Sequence, residues 1–323
     1  NPIAIPGICG IKIFMGISTG TLLVYNKTAL ERIFSETAGL IAVHAEDEDR
    51  KNERKKLIEG RTDVAAHAFY RDDITALLAT KLSVELARKT GHRLHILHLT
   101  SAIEADYLSD ICNLPSKAEG HPIITTEVLP QHLTFDETDV DEQGVRLQMN
   151  PPIRYKHDRE TLWQRLVDGT IQCIATDHAP HTLEDKLKGF PAAPSGMPGV
   201  ETSLPVMLNY VNQGRCSIED VVRWMSTNVA DCYRMIGKGK LEIGYDGDIV
   251  LVDMNHSAVV EDENSWARVG WNPFRGRELT GWPVLTVVDG IPVFERSAGT
   301  GQKGRLLVEP GAVGKPLLME PWK

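Results

Sequence analysis

Ile171-Gln172-Cys173-Ile174-Ala175-Thr176-Asp177-His178-Ala179-Pro180-His181 joins a short apolar run to a carboxylate and two imidazoles. The run reads as a buried strand. Asp177 then stands at a strand's C-terminal end, where in a parallel α/β barrel a metal and a substrate can share one side chain. Such a loop decides little alone. Its weight comes from three earlier apolar runs that carry a potential ligand at or near their ends, at Lys12, His44 and His98.

Working outward, short apolar runs alternate with helical patterns, the mark of βα units around a parallel sheet. Strands are expected at Gly10–Met15, Leu40–His44, Arg93–His98, Pro122–Val128 and Ile171–Ala175. Ile74, Leu77, Leu78, Leu82 and Leu86 fall at helical spacing over Asp73–Lys89, with Asp72 or Asp73 able to cap the start. Arg159–Val167 reads as another helix. Lys186–Gly199 is rich in Pro, Gly and Ala and reads as a long lid or binding loop. Helices follow at Glu201–Val211 and at Ser217–Ile236, with Ser217 as cap. After Gly237 the pattern turns to strands, with a hairpin around Asp289-Gly290. This gives a barrel part over 1–236 and a β segment with tail over 237–323.

Size and charge narrow the class. The chain has 323 residues and a net charge of −9, with a pI near 5.7. No basic stripe with interleaved aromatics appears, so nucleic acid is not an expected partner. No apolar run reaches the length of a membrane span. Cys9, Cys112, Cys173, Cys216 and Cys232 show no metal-finger spacing and read as reduced, buried thiols of a cytoplasmic protein. No signal peptide is expected. The chain opens on Asn1-Pro2 rather than Met and is expected to lack its true start.

Each candidate residue also has an ordinary reading. Lys12 in an apolar strand is by default an edge or snorkelling residue; the functional alternative is a carbamylated lysine bridging two metals. The acidic run Glu46–Asp49 after His44 reads as a solvated helix start. His95 and His98 cannot share a face of one regular strand. His98, at the strand end, is the better ligand, and His95 reads as packing or surface. Glu127 and His132 flank a turn and are accessory candidates. Asn150-Pro151-Pro152-Ile153-Arg154 offers an amide and a guanidinium suited to a carboxylate substrate. Gly16–Gly20 lacks the Gly-Lys-Ser/Thr of a phosphate loop, and Arg71 reads as the partner of a local acid. Taken together, Lys, His, His and Asp recur in chain order on strand ends that would converge on one face. That donor set suits Zn²⁺.

At this point the chain resembles the amidohydrolase superfamily, and within it the dihydroorotases. The matching stretches are Gly10–Gly16, Val43–Asp47, Leu94–Thr100, Glu127–Leu133, Asn150–Arg154 and Asp177–His181, with Gly199–Thr202 and Asn272-Pro273-Phe274 further on. The resemblance implies a (β/α)8 TIM-like metal-dependent hydrolase barrel with a small β-sandwich. It implies two zinc ions and the reversible cyclisation of N-carbamoyl-L-aspartate to L-dihydroorotate, in de novo pyrimidine biosynthesis. Lys12 would be the carbamylated bridge. His44 and His98 would bind one zinc, and Asp177 would bind the other and carry the proton. Asn150 and His181 would hold the substrate, with backbone contacts near Pro194-Ser195-Gly196; Arg154 is the candidate for its carboxylate.

The family's His-X-His pair does not occur in the sequence. If Lys12 lies on barrel strand four, strands four to eight are visible and one to three are expected upstream of Asn1. That would leave the barrel incomplete, and this chain alone inactive. A hydantoinase or allantoinase would share the ligands. A non-catalytic dihydroorotase-like partner of aspartate transcarbamoylase is the alternative of another class, and such a scaffold would be expected to shed ligands that this chain keeps. A small-molecule substrate and a homo-oligomer are expected.

Overall fold

The computed structural model describes residues 8–17, 22–112, 124–297 and 303–320. By contacts the chain divides into two compact units. One holds Asn1–Ala175 and Glu184–Gly196; the other holds Thr176–Leu183 and Met197–Glu320. The sequence boundary at 236/237 marks where helical patterns give way to strands. The contacts divide the chain differently, because the helix Val200–Asn212 packs on a strand of the second unit's sheet.

The first unit is built on five strands, β1 Ile11–Phe14, β2 Leu40–His44, β3 Arg93–Ile96, β4 Ile124–Val128 and β5 Cys173–Ile174. They run parallel in the order β1-β2-β3-β4-β5. Strict sequential order follows from a helical crossover between each neighbouring pair. The five expected strands are all present. Pro122 and Ile123 lie outside the described residues.

Register fixes the two faces, because residues paired across parallel strands point the same way. Ile11, Ile41, Leu94 and Ile124 share one row, and Ile13, Val43, Ile96 and Thr126 the next. Ile41, Val43, Leu94 and Ile96 are fully buried, and this is the apolar face. The other face carries Lys12, Phe14, Ala42, His44, His95, Thr125 and Glu127.

The helix Asp73–Thr90 starts where expected. The Asp72 side chain accepts from Thr75 N, and Gly91 closes the helix at φ 72°. The buried face is not the leucine stripe, however. Thr75, Ala76, Ala79, Thr80, Ser83, Val84, Leu86 and Ala87 are buried, while Leu78 is 43% exposed. Small side chains let this helix approach its neighbours closely, and its hydroxyls find partners there: Ser83 Oγ lies 3.0 Å from Met15 Sδ, and Thr80 donates to Glu104.

The second unit holds β6 Ile249–Val259, β7 Glu278–Val288, β8 Ile291–Glu295 and β9 Arg305–Leu306, antiparallel in that order. Asp289 and Gly290 turn the hairpin with φ of 52° and 78°, as a two-residue loop with two left-handed positions requires. The expected β-sandwich is, among the described residues, one four-stranded sheet. One side of it is met by the helix Val200–Asn212 rather than by a second sheet. Ser217 caps its helix as expected, but the helix runs through a wide turn at Arg223–Thr227 and ends at Tyr233. Cys9 is exposed and Cys216 half-buried, against the expectation of buried thiols, whereas Cys173 and Cys232 are buried. No helix among the described residues is long and apolar enough to cross a membrane.

Candidate active site

His44 ends β2 on the polar face, 1% exposed. Its Nε2 lies 2.7 Å from Glu46 Oε2, and its Nδ1 lies 3.0 Å from His98 Nε2. Burial alone would raise the Glu46 carboxyl. The Arg71 guanidinium, with His44 and Lys51, overcomes that and holds it well below the usual carboxylate range. An ionised carboxylate only accepts, so the His44 proton sits on Nε2 and Nδ1 turns a lone pair toward His98.

Arg71 pairs with Glu46 in a buried salt bridge and also donates to Ile17 O at 2.8 Å. Removing either member of such a pair would cost about 3–5 kcal/mol. The acidic run is therefore not the solvated helix start expected. Glu46 and Glu48 are buried, Glu48 is paired with Lys51, and only Asp47 acts as a cap, accepting from Arg50 N. Gly16 makes room for this arrangement: a Cβ there would come within 2.8 Å of the Glu46 Cβ and carbonyl oxygen.

His98 lies two residues past the end of β3 with φ 36°, a left-handed conformation rare for a side-chain-bearing residue. That break in the strand re-aims the ring. Alternation would have excluded either His95 or His98 from the face, but both belong to it. His95 is fully buried, with Nδ1 2.8 Å from Thr125 Oγ1 and Nε2 3.0 Å from Glu127 Oε2. Glu127 also accepts from the His98 backbone N–H at 3.3 Å. Burial, then the charges of His44, Lys12 and His132, push the His98 pKa well below its ordinary value. The ring is neutral, the form that binds metal. Lys12 is exposed, with Nζ 4.7 Å from the Phe14 ring centroid.

His132 is buried in the short helix Pro130–Thr134, and burial pushes its pKa down to about 3. Its Nε2–H donates to Pro151 O at 3.3 Å. Asn150 Oδ1 is 2.9 Å from His67 Nε2. Arg154 is 4% exposed; Nε donates to Thr100 Oγ1 at 2.8 Å and Nη1 to Arg71 O at 2.6 Å. Two of its three nitrogens thus already brace the fold, and Nη2 is buried without a partner.

Asp177 and His181 belong to the second unit. Asp177 is half-buried with φ 41°. His178 Nδ1 accepts from Gly199 N at 3.1 Å and Val200 N at 3.3 Å, capping the helix that starts at Val200. Ala179 N donates to Met197 O at 3.1 Å, and Trp271 Nε1 to His181 O at 2.8 Å. Of the two imidazoles in this loop, His178 is thus a helix cap. Sequence reading missed Glu46, His67 and Lys186 and took Arg71 only for the partner of a local acid; the signal available for Glu46 was its place two residues beyond His44, the last residue of β2.

Among the described residues no three His, Cys, Asp or Glu side chains converge into a complete metal set. Two do converge, His44 and His98, and their chemistry fits a zinc-type ion: buried imidazoles, one of them backed by a carboxylate.

The amidohydrolase family profile matches residues 25–293. The chain belongs to the amidohydrolase family. Among curated members it is similar to the dihydroorotase of Methanosarcina mazei, 32% identical over 298 residues. It is also similar to the dihydroorotase of Halobacterium salinarum, 34% identical over 297 residues. These alignments cover 91% of this amidohydrolase and 65% and 67% of the two relatives, so the chain spans about two thirds of their length. Among solved structures it resembles the L-hydantoinase (dihydropyrimidinase) of Arthrobacter aurescens, at TM-score 0.84 and 30% identity, covering 94% of this chain and 67% of that one. The dihydropyrimidinase of Brevibacillus agri gives TM-score 0.80 at 27% identity, covering 94% and 69%. The family and these neighbours imply a TIM-barrel-like α/β fold.

Proposed function

We propose that this amidohydrolase is a dihydroorotase, opening and closing the ring between L-dihydroorotate and N-carbamoyl-L-aspartate. The observation that carries the reading is the pairing of dihydroorotase relatives over 91% of the chain with the buried His44–His98 pair. We read the five parallel strands as consecutive strands of a β/α barrel, with the polar face as its interior.

The family is generally metal-dependent, and His44 and His98 would hold one ion. Lys12, once carbamylated, and Asp177 would complete the set, with Zn²⁺ as the ion the donor chemistry favours. Such an ion supplies Lewis-acid polarisation of the ring amide and makes a water acidic at neutral pH.

The chain's own residues do the rest. The Asp177 carboxylate takes the proton from the attacking water and returns it to the departing ring nitrogen. Glu46, locked by Arg71, keeps the His44 proton on Nε2. Glu127 braces the His98 turn. Asn150, His181 and the remaining nitrogen of Arg154 would orient the substrate, whose carboxylate suits a cationic partner.

Structural likeness to hydantoinases favours a second reading, a hydantoinase acting on a related cyclic amide. The full-length enzyme, rather than this chain alone, assayed on L-dihydroorotate, hydantoin and allantoin separates the two. Turnover of dihydroorotate with little on the others is expected; equal or greater turnover of hydantoin would overturn the dihydroorotase reading.

A further inference from the structure

We propose that Lys186 is a positioning residue. Its buried ammonium latches residues 186–196 onto Gln148, and this sets where Asn150 and the Pro194–Gly196 backbone stand toward the substrate. The kinetic part of this rests on the dihydroorotase reading; the structural part does not.

Lys186 is fully buried. Its Nζ donates to the carbonyls of Gln148 at 2.8 Å, Pro194 at 3.0 Å and Gly196 at 3.0 Å. Three N–H donors meet three acceptors. Gln148 returns the grip: its Nε2 donates to Ala193 O at 2.7 Å and Ser195 Oγ at 3.3 Å, and its carbonyl accepts from Gly196 N at 2.9 Å. The segment expected to be a lid or binding loop is closed on itself and fastened two residues before Asn150.

A second tie runs through an aromatic contact. The Phe190 ring, in the same segment, packs edge-on to His67 with centroids 6.0 Å apart. His67 Nε2 faces Met149 O at 3.0 Å and Asn150 Oδ1 at 2.9 Å. A carbonyl only accepts, so the proton is on Nε2 and the Asn150 atom facing it is the amide oxygen. The amide of Asn150 is therefore oriented, not merely placed.

Stability alone would not call for an ammonium. Burying one costs several kcal/mol, which an aliphatic side chain of similar length avoids. Burial pushes the Lys186 pKa down to about 7. A neutral amine would bring two donors to three carbonyls, so the geometry is built for the charged form.

Lys186→Met keeps the stem and removes the donors. In hydrogen exchange, the Ala193 and Gly196 amides should exchange about tenfold faster or more, while the amides of β2 and β3 stay as in the wild type. On dihydroorotate, KM should rise by about tenfold or more with kcat changed much less, and Lys186→Arg, which keeps charged donors, should recover part of the loss. Unchanged exchange at Ala193 and Gly196, equal loosening of β2 and β3, or a fall in kcat at constant KM would overturn the latch. Should Lys186→Met fail to fold, Gln148→Met removes the return grip and should loosen the same two amides; no loosening there overturns it as well. A wild-type protein without dihydroorotate turnover would count against the dihydroorotase reading, and the exchange result would still judge the latch.

Discussion

His44 and His256 are both buried histidines in strands, 1% and 5% exposed, and they do opposite things. His44, on the parallel sheet, has a carboxylate on one nitrogen and a second imidazole on the other. His256, on β6 of the antiparallel sheet, lies against the Trp282 ring, and its Nε2 is buried without a partner. One ring is held in a chosen tautomer with an aimed lone pair; the other is packing. The backgrounds differ in the same way. β2 is buried on both faces, whereas β6 is an edge strand whose Ile249, Val250 and Leu251 are exposed. Burial marks neither residue as functional. Partners do.

The largest test of that contrast is deletion of the rings. His44→Ala and His98→Ala should abolish dihydroorotate turnover and lose zinc on metal analysis, while His256→Ala keeps both. A His256 variant that lost metal would break the comparison. Next, Asp177→Asn should lower kcat by about 10² or more with circular dichroism unchanged, since general acid–base catalysis contributes about that much. A wild-type rate would remove Asp177 from the proton path.

Smaller is the effect expected of the partner behind the ligand. Glu46→Gln should weaken zinc affinity by about 10–100-fold, read by competition with a chelator, because it frees the His44 tautomer. Unchanged affinity would mean the Glu46–His44 bond is structural only.

The smallest effect is on stability. Burial pushes Glu104 up to about 7, against opposing hydrogen bonds and the charge of Arg154. The folded state then keeps a proton that the unfolded state loses above about 4.5. Stability from Glu104 is therefore full below that value and lost as pH rises through about 7. Glu104→Gln should match the wild type near pH 5 and be more stable near pH 8 by up to about 3 kcal/mol in denaturant melts. Parallel curves at both pH values would show that Glu104 ionises normally.

The sequence disclosed what depends on short-range pattern. Apolar runs located the five parallel strands, and Asp72, Ser217 and Asp289-Gly290 announced two caps and a hairpin turn. What it hid depends on long-range partners. Glu46 reads as one acid among four until Arg71, 25 residues on, is seen beside it. Alternation argued His95 off the face, because nothing local says that the strand stops at Ile96 and that His98 turns left-handed. The leucines of the helix Asp73–Thr90 suggested a buried stripe, yet the close-packed face is the one made of Ala, Ser and Thr. Nothing local singles out Lys186, the first residue of a Gly- and Pro-rich loop, because its three carbonyl partners lie 8 to 38 residues away.

The left-handed backbones of His98 and Asp177 also bear on how such a chain would evolve. Each conformation costs a side-chain-bearing residue about 1–3 kcal/mol, and glycine or asparagine would relieve much of that. While catalysis is selected, the costlier residues are retained. In a lineage that kept the fold but dropped the reaction, positions 98 and 177 are where drift toward Gly or Asn should begin, since there the loss of a ligand and the gain of a relaxed chain coincide. The residues at these two positions would therefore serve as a record of whether a descendant still works as an enzyme.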